Sequence, residues 1–218
     1  MTSVLVHSAN FGSFDAPPEP VRQKHAKADS FQWTDANTPM RTQAMTPRLQ
    51  ARIPKCFGWD IKPGYDVYLW HDASLSLQHS DSVTWCLDTL GTADIAVFAH
   101  PVRHTIRDEA EFLRMKLHAR NAYLSTRYGG EDLDGQLAAI AADPTYVDDR
   151  LFASGAFWYR PRQVVRHALK EWWYHISRFH CIDQLAFPFV LNECRVVAVQ
   201  EDIYHASAFR WTRARHHG

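Results

Sequence analysis

Short apolar runs ended by polar or turn residues alternate along this chain with longer amphipathic stretches. That alternation constrains the fold more than any other feature. Val4–Ala9 is a β-branched run that stops at the turn Asn10-Phe11-Gly12. Residues 15–30 carry Pro17, Pro18 and Pro20 among charges and read as loop, and Phe31–Thr34 reads as a short second strand ending at Asp35. Tyr65–Trp70, Ile95–Ala99, Leu151–Tyr159 and Arg195–Val199 supply the remaining strands. Between them lie helical signals. Thr46-Pro47 is an N-cap followed by proline at the first helical position, and Pro54 should end or kink that helix. Ser80 or Asp81 caps a helix that stops at Gly91. Thr105-x-x-Asp108 resembles a capping box and opens a helix to about Tyr128. Leu133–Ala142 is a further helical piece, and Pro161 starts another that runs to about Phe179. Strand–helix alternation of this kind predicts the α/β class, a single Rossmann-like domain with a mostly parallel sheet covered by helices. The chain's 218 residues suffice for such a core.

Composition excludes several functions. Twenty-four basic and 24 acidic residues give zero net charge, which is not the basic excess of a general nucleic-acid binder. The longest apolar runs, Ile95–Ala99 and Leu185–Leu191, are too short to cross a bilayer. Met1–Gly12 lacks the basic and apolar regions of an export signal, so the expected location is cytoplasmic. Cys56, Cys86, Cys181 and Cys194 have no CxxC spacing, which predicts reduced thiols. Eight tryptophans and 13 histidines remain to be explained. His100 and His104 are four apart, but Pro101 and the missing glutamate exclude an HExxH zinc site. A His-assisted metallohydrolase finds no other supporting spacing. His167, His175 and His180 read as structural or exposed, and His216 and His217 as tail residues.

Ligands of open α/β sheets sit at the carboxyl ends of the strands. The polar residues that end predicted strands are therefore the candidates: Asn10, Asp35, His71-Asp72-Ala73-Ser74, His100 and Ser154-Gly155. Arg48 and Arg52 share one face of the helix before Asp72. For Arg48 a solvated basic face is the simpler reading.

The segment from Arg52-Ile-Pro-Lys-Cys through Tyr68-Leu-Trp-His-Asp-Ala-Ser74 resembles the stretch before the metal-binding Asp-x-Asp motif of GT-A glycosyltransferases. It is most similar to a family of plant and bacterial proteins read as glycosyltransferases, whose plant members are associated with cell-wall polysaccharide and mucilage. Val6–Asp15, Phe31–Asp35, His100-Pro101-x-Arg103 with Asp108-Glu109-Ala110, and Leu151–Arg160 followed by Trp172-Trp173 and Asp183-Gln184-Leu185 resemble that family's other blocks, in order.

The resemblance implies transfer of a sugar from a nucleotide-sugar, with UDP as the expected nucleotide, to a saccharide or other acceptor. It implies a nucleotide-binding half at about 1–100 and a sugar or acceptor half at about 101–218. Asp72 would hold donor and metal, with Mn²⁺ or Mg²⁺ expected on hard oxygen ligands. Ser74 stands where the second acid of Asp-x-Asp would be. Arg52 would take a donor phosphate. Asn10 and Asp35 would meet base and ribose, and His100 with Arg103 would form a polar loop over the diphosphate. Ser154 and Gly155 would lie against the donor sugar. Asp183 would contact an acceptor hydroxyl as a base or hold the donor sugar, and Gln184 would line the reacting face. His205 would be a late metal ligand. Each has a plainer alternative: turn chemistry for Asn10 and Asp35, a cap for Asp72 and Asp183, a bulge for Ser154-Gly155, a surface histidine for His205. Trp33 and Trp158 could stack on a sugar, but core is the simpler reading for every tryptophan. A carbohydrate- or nucleotide-sugar-binding protein of the same fold, reduced in catalysis, is the alternative function.

Overall fold

The structure is a computed structural model and describes residues 1–13, 15, 20–24, 27–39, 43–119, 122–180 and 182–212. Pro17, Pro18, Cys181, His216 and His217 lie outside the described residues.

Strands β1 (Ser3–Asn10), β2 (Lys27–Thr34), β3 (Val67–His71), β5 (Ile95–Ala99), β6 (Phe152–Tyr159) and β7 (Val196–Val199) form one sheet in the order β2-β1-β3-β6-β5-β7. A small second pair joins β4 (Leu75–Leu77) to β8 (Phe209–Trp211). The sheet is mostly parallel, as expected: β1 pairs in parallel with β2 and β3, and β5 with β7. The exception is β6, which runs antiparallel to both β3 and β5. Its direction follows from where the preceding helices lie. Helices α3 (Ile106–His118), α4 (Ala122–Tyr128) and α5 (Leu133–Ala141) leave the carboxyl end of β5 and return to that same end, where His100 N donates to Leu151 O at 2.9 Å. A chain re-entering beside the strand it has just left must run the other way.

Several expectations are corrected in detail. The second strand starts at Lys27, inside the stretch read as loop, because it pairs with β1 along its whole length from Ser3↔Lys27 to Asn10↔Thr34. Helix α1 (Pro47–Ile61) does not end at Pro54, which is buried, but it does kink one turn later, at Phe57 (φ −120°, ψ 15°). Packing of α1 against β1 and against α6 (Gln163–Arg178) overrides the local cost of the proline. The helix expected from Thr105 to Tyr128 is two, α3 and α4, although its Thr105–Asp108 capping box forms in full. Gly91 closes α2 (Ser82–Leu90) at φ 49°.

Both faces of the sheet are covered. Leu5, Tyr68, Trp70, Phe157 and Tyr159 pack under α1 and α6 with Trp172. Val6, Leu69, Phe98 and Trp158 pack on the other face with α2 and Phe209 of β8. Trp33, Trp59, Trp70, Trp158 and Trp172 are all buried, which answers most of the tryptophan count with core. Among the described residues, no helix is long and apolar enough to cross a membrane.

Gly58 lets α1 approach β1 closely: a Cβ there would stand 2.3 Å from His7 Cε1. Gly58→Ala should cost about 1–3 kcal/mol of stability, read as a lower urea midpoint. His7 is fully buried and neither ring nitrogen finds a hydrogen-bond partner among the described residues. Burial first, and the nearby His71 second, depress its imidazole from 6.5 to about 3. The unfolded chain takes up that proton below 6.5 and the folded protein does not, so stability is lost as pH falls from 6.5 toward 3. Urea midpoints at about pH 7 and about pH 5 should show this loss, and His7→Leu should reduce it.

Candidate functional site

A cleft of about 600 Å³ opens at the carboxyl ends of β1 and β3. Its walls come from α1, the start of β6, and the segments 182–184 and 203–204. The reversal of β6 matters here. Ser154 and Gly155 belong near the beginning of that strand, not at its end, and only an antiparallel β6 brings its beginning to this edge of the sheet.

Two acids and two cations cluster at the floor of the cleft, with Arg52, Asp72 and Asp183 on its lining and Lys55 buried behind it. Asp72 follows directly on β3, Asp183 lies in the loop after α6, and Arg52 and Lys55 project from one face of α1. Lys55 is wholly buried, with its Nζ 2.6 Å from Asp183 Oδ2 and 3.0 Å from Asp72 Oδ1. Arg52 makes the longer approaches, 3.3 Å from Nε to Asp183 Oδ2 and 3.9 Å from Nη1 to Asp72 Oδ1. Two buried tryptophans fix the acids. Trp70 Nε1 donates to Asp72 Oδ1 at 2.9 Å, and Trp172 Nε1 donates to the Asp183 carbonyl at 2.8 Å. The Lys55 ammonium sits 5.6 Å and 5.5 Å from the same two ring centres, within cation–π range. Ser154 Oγ donates to Asp183 Oδ1 at 3.0 Å. Burial would raise the Asp183 carboxyl, but Arg52, Lys55 and the Ser154 hydroxyl outweigh it and hold it below the usual carboxylate range.

Asp72 does not use its side chain as a cap. Its backbone carbonyl closes the following turn by accepting from Leu75 N at 2.8 Å, while its side chain turns inward to Lys55 and Trp70. The backbone N–H of Asp72 donates to Gly155 O at 2.7 Å, which locks β3 to β6 at the cleft floor. The β6 strand does bulge here, since its pairing with β5 shifts register between Val97 and Phe98. A Cβ on Gly155 would lie 3.2 Å from Ile203 Cδ1 and 3.7 Å from Asp72 Oδ2, so the missing side chain keeps the cleft open beside Asp72.

Of the residues singled out from the sequence, Asn10, Arg52, Asp72 and Ser74 line this cleft, as do Ser154, Gly155, Asp183 and Gln184. Asn10 commits its amide to the loop it opens: Nδ2 donates to Asp15 O at 2.6 Å and Oδ1 accepts from Asp15 N at 3.1 Å. Asp35 is exposed and outside the cleft lining; it accepts from Gly12 N at 2.8 Å and so steadies the glycine turn at the rim. Gly12 needs its freedom there, with φ 70°. His100 and Arg103 also lie outside the lining and form a separate cluster. The His100 Nδ1 accepts from Val102 N at 3.2 Å and Arg103 N at 3.0 Å, and Arg103 is ion-paired to the buried Glu109. Burial first, then Arg103 and His104, lower His100 to about 4, so it is neutral at neutral pH and adds no charge for a phosphate. His205 is exposed and is not part of the lining.

Arg48 is not the solvated residue expected. It lines the cleft, pairs with Glu131 at 3.2 Å and lies 4.4 Å over the Tyr128 ring. Lys55 and Tyr204 were not anticipated. The signal for Lys55 was present, because it stands three positions after Arg52 and shares its helical face. A lysine between Pro54 and Cys56 in an apolar stretch needs a buried counter-ion. Tyr204, half-exposed on the far wall, has its hydroxyl raised by burial first and then by Asp72 and Asp202.

A divalent metal on hard oxygen ligands fits this donor set poorly. Mn²⁺ or Mg²⁺ takes about six oxygens. Here Asp72 Oδ1 and Asp183 Oδ2 already face Lys55, position 74 supplies a hydroxyl rather than a second carboxylate, and His205 lies outside the cleft lining. Among the described residues, no group of three or more His, Cys, Asp or Glu is placed to hold a metal ion.

No protein-family model and no curated protein sequence matches the chain. Solved structures do match in fold. The bifunctional glycosyltransferase WbbM, in its apo form, superposes with a TM-score of 0.51 at 11% identity over 91% of this chain. The fold is GT-A-like. This chain covers 39% of that WbbM chain, and the identity supports likeness of fold alone. The galactosyltransferase LgtC, in complex with donor and acceptor sugar analogues, gives a TM-score of 0.43 at 10% identity over 89% of this chain and 72% of its own. Mouse xyloside xylosyltransferase 1 gives 0.40 at 16% identity over 79% and 63%.

Lys55→Met should cost about 3–5 kcal/mol, because it leaves Asp183 buried beside a missing cation. Adding Asp183→Asn should recover part of that loss, and a double-mutant cycle in urea measures the coupling.

Proposed function

We propose that the chain is a glycosyltransferase that moves a sugar from a nucleotide-sugar, with UDP as the expected nucleotide, to a saccharide acceptor. One observation carries this reading above the others. Arg52, Asp72 and Asp183 line one cleft at the carboxyl edge of a GT-A-like sheet, with Lys55 buried directly behind the two acids, although Lys55 and Asp183 stand 128 positions apart in the chain.

Cleaving the bond to a nucleoside diphosphate puts negative charge on the leaving oxygens, and a cation already in position stabilises it. Arg52, on the wall of the cleft, offers a planar fork suited to two phosphate oxygens. The loop Asn10–Gly12, steadied by Asp35, would meet the base and ribose. Asp72 gives Oδ1 to Lys55 and Trp70; its other oxygen, beside Gly155, can accept from a sugar hydroxyl. Gln184 is the polar group next to Asp183 on the reacting face. Asp183, held below the usual carboxylate range and bonded to Lys55 and Ser154, is a poor proton acceptor. It suits the role of holding the cations and the donor sugar better than that of a base. In this reading, residues 1–100 supply the nucleotide side of the cleft and residues 101–218 the sugar and acceptor side. The resemblance to a family whose plant members are associated with cell-wall polysaccharide favours a saccharide acceptor.

Asp-x-Ser at positions 72–74 favours a second reading, a nucleotide-sugar-binding protein that no longer turns its donor over. A screen of UDP- and GDP-sugars, reading thermal shift and nucleotide release on the same samples, separates the two. The expected result is a stabilising UDP-sugar from which UDP is released, with Asp72→Ala lowering the release at least a hundredfold, about 2.7 kcal/mol. Stabilisation without release selects the binding protein, and no stabilisation by any donor removes both readings.

A further inference from the structure

We infer that Arg52, backed by the buried Lys55, takes the place of a divalent metal at the donor diphosphate, so that nucleoside diphosphates bind this protein without a metal ion. The inference rests on the functional reading above and deepens it.

Two carboxylates and two cations meet at this point. The two cations are not equivalent. Lys55 is fully buried, cannot reach solvent, and makes the shorter contact to each acid, 2.6 Å and 3.0 Å. Arg52 makes the longer ones, 3.3 Å and 3.9 Å, and its side chain reaches the cleft wall. When an anion arrives, Arg52 can turn toward it while Lys55 keeps both carboxylates paired. A buried carboxylate without its cation would oppose such a movement by several kcal/mol. Lys55 removes that obstacle.

The same geometry works against a metal. A divalent ion bound through Asp72 Oδ1 or Asp183 Oδ2 would stand within one carboxylate's width of the Lys55 ammonium, and the two would repel. Trp70 and Lys55 hold Asp72 Oδ1, and Ser154 and Lys55 hold the Asp183 carboxylate, so neither can turn toward a metal without losing those bonds.

Titration calorimetry of UDP and of GDP into the full chain tests this, once after dialysis against EDTA and once with excess Mn²⁺. The expected result is that one of the nucleotides binds in EDTA with a Kd within about threefold of its value in Mn²⁺. Arg52→Gln should fold, because Lys55 retains both carboxylates, and should weaken binding in EDTA about tenfold or more. Lys55→Met, in preparations with native near-UV circular dichroism, should weaken it as well, because Arg52 is then drawn onto the two acids. Binding that appears only with Mn²⁺ overturns the inference and leaves the glycosyltransferase reading standing. So does an Arg52→Gln protein that binds as well as the wild type in EDTA. A folded wild-type chain that binds neither nucleotide in either condition overturns the functional reading and the inference together.

Discussion

A lysine ammonium enclosed by protein must find its counter-charges inside, and in this molecule that demand is met only where three distant segments meet. Lys55 lies on α1, Asp72 on the turn after β3 and Asp183 after α6. Lys55 and Asp183, both buried, depend on this pairing, since isolated buried ions are neutralised or expelled, and the partly exposed Asp72 adds a second carboxylate to the ammonium. The cluster therefore ties the helical layer to the sheet edge at one point. Trp70 and Trp172 complete the tie by bonding the two aspartates and placing their ring faces beside the ammonium. Cleft, acids and cations follow from this one arrangement.

The direction of β6 is the second condition. A parallel strand between β3 and β5 would carry Ser154 and Gly155 to the opposite edge of the sheet. Run antiparallel, the strand brings Gly155 O to the backbone N–H of Asp72 and Ser154 Oγ to Asp183. The glycine then serves packing and site together, because the volume it leaves vacant is shared by Ile203 and the cleft beside Asp72. Its register shift against β5 and its position in the cleft are two aspects of one local geometry.

Much of this was legible from residue pattern. The β-branched runs of β1 and β5, the Thr46-Pro47 start, the Thr105–Asp108 box and the glycine at 91 are local signals, and each produced its element. The strand-end rule brought Asn10, Asp72 and Ser154 to attention, and all three line the cleft. His100 obeyed the same rule and does not line it. It ends β5, whose carboxyl end is taken by the returning chain at Leu151 and by the Arg103–Glu109 pair. Pro54 is a mixed case: α1 kinks one turn after it, at Phe57, but packing carries the helix on to Ile61.

The sequence by itself determined the class of the fold and the chemical types at the site, because periodicity, caps and turn residues act over a few positions. It also determined that most tryptophans are buried, since large aromatic area drives itself from water. Only the tertiary structure decided that Lys55, rather than a second acid or a histidine, is the partner of Asp72. That decision depends on distance and burial between residues far apart in the chain, and no local pattern encodes them. The same holds for β6: alternation of strands and helices fixes their order, but the side of the sheet on which the helices return is settled by packing. What looked in the sequence like an incomplete metal motif is, in three dimensions, a carboxylate already paired with an internal cation.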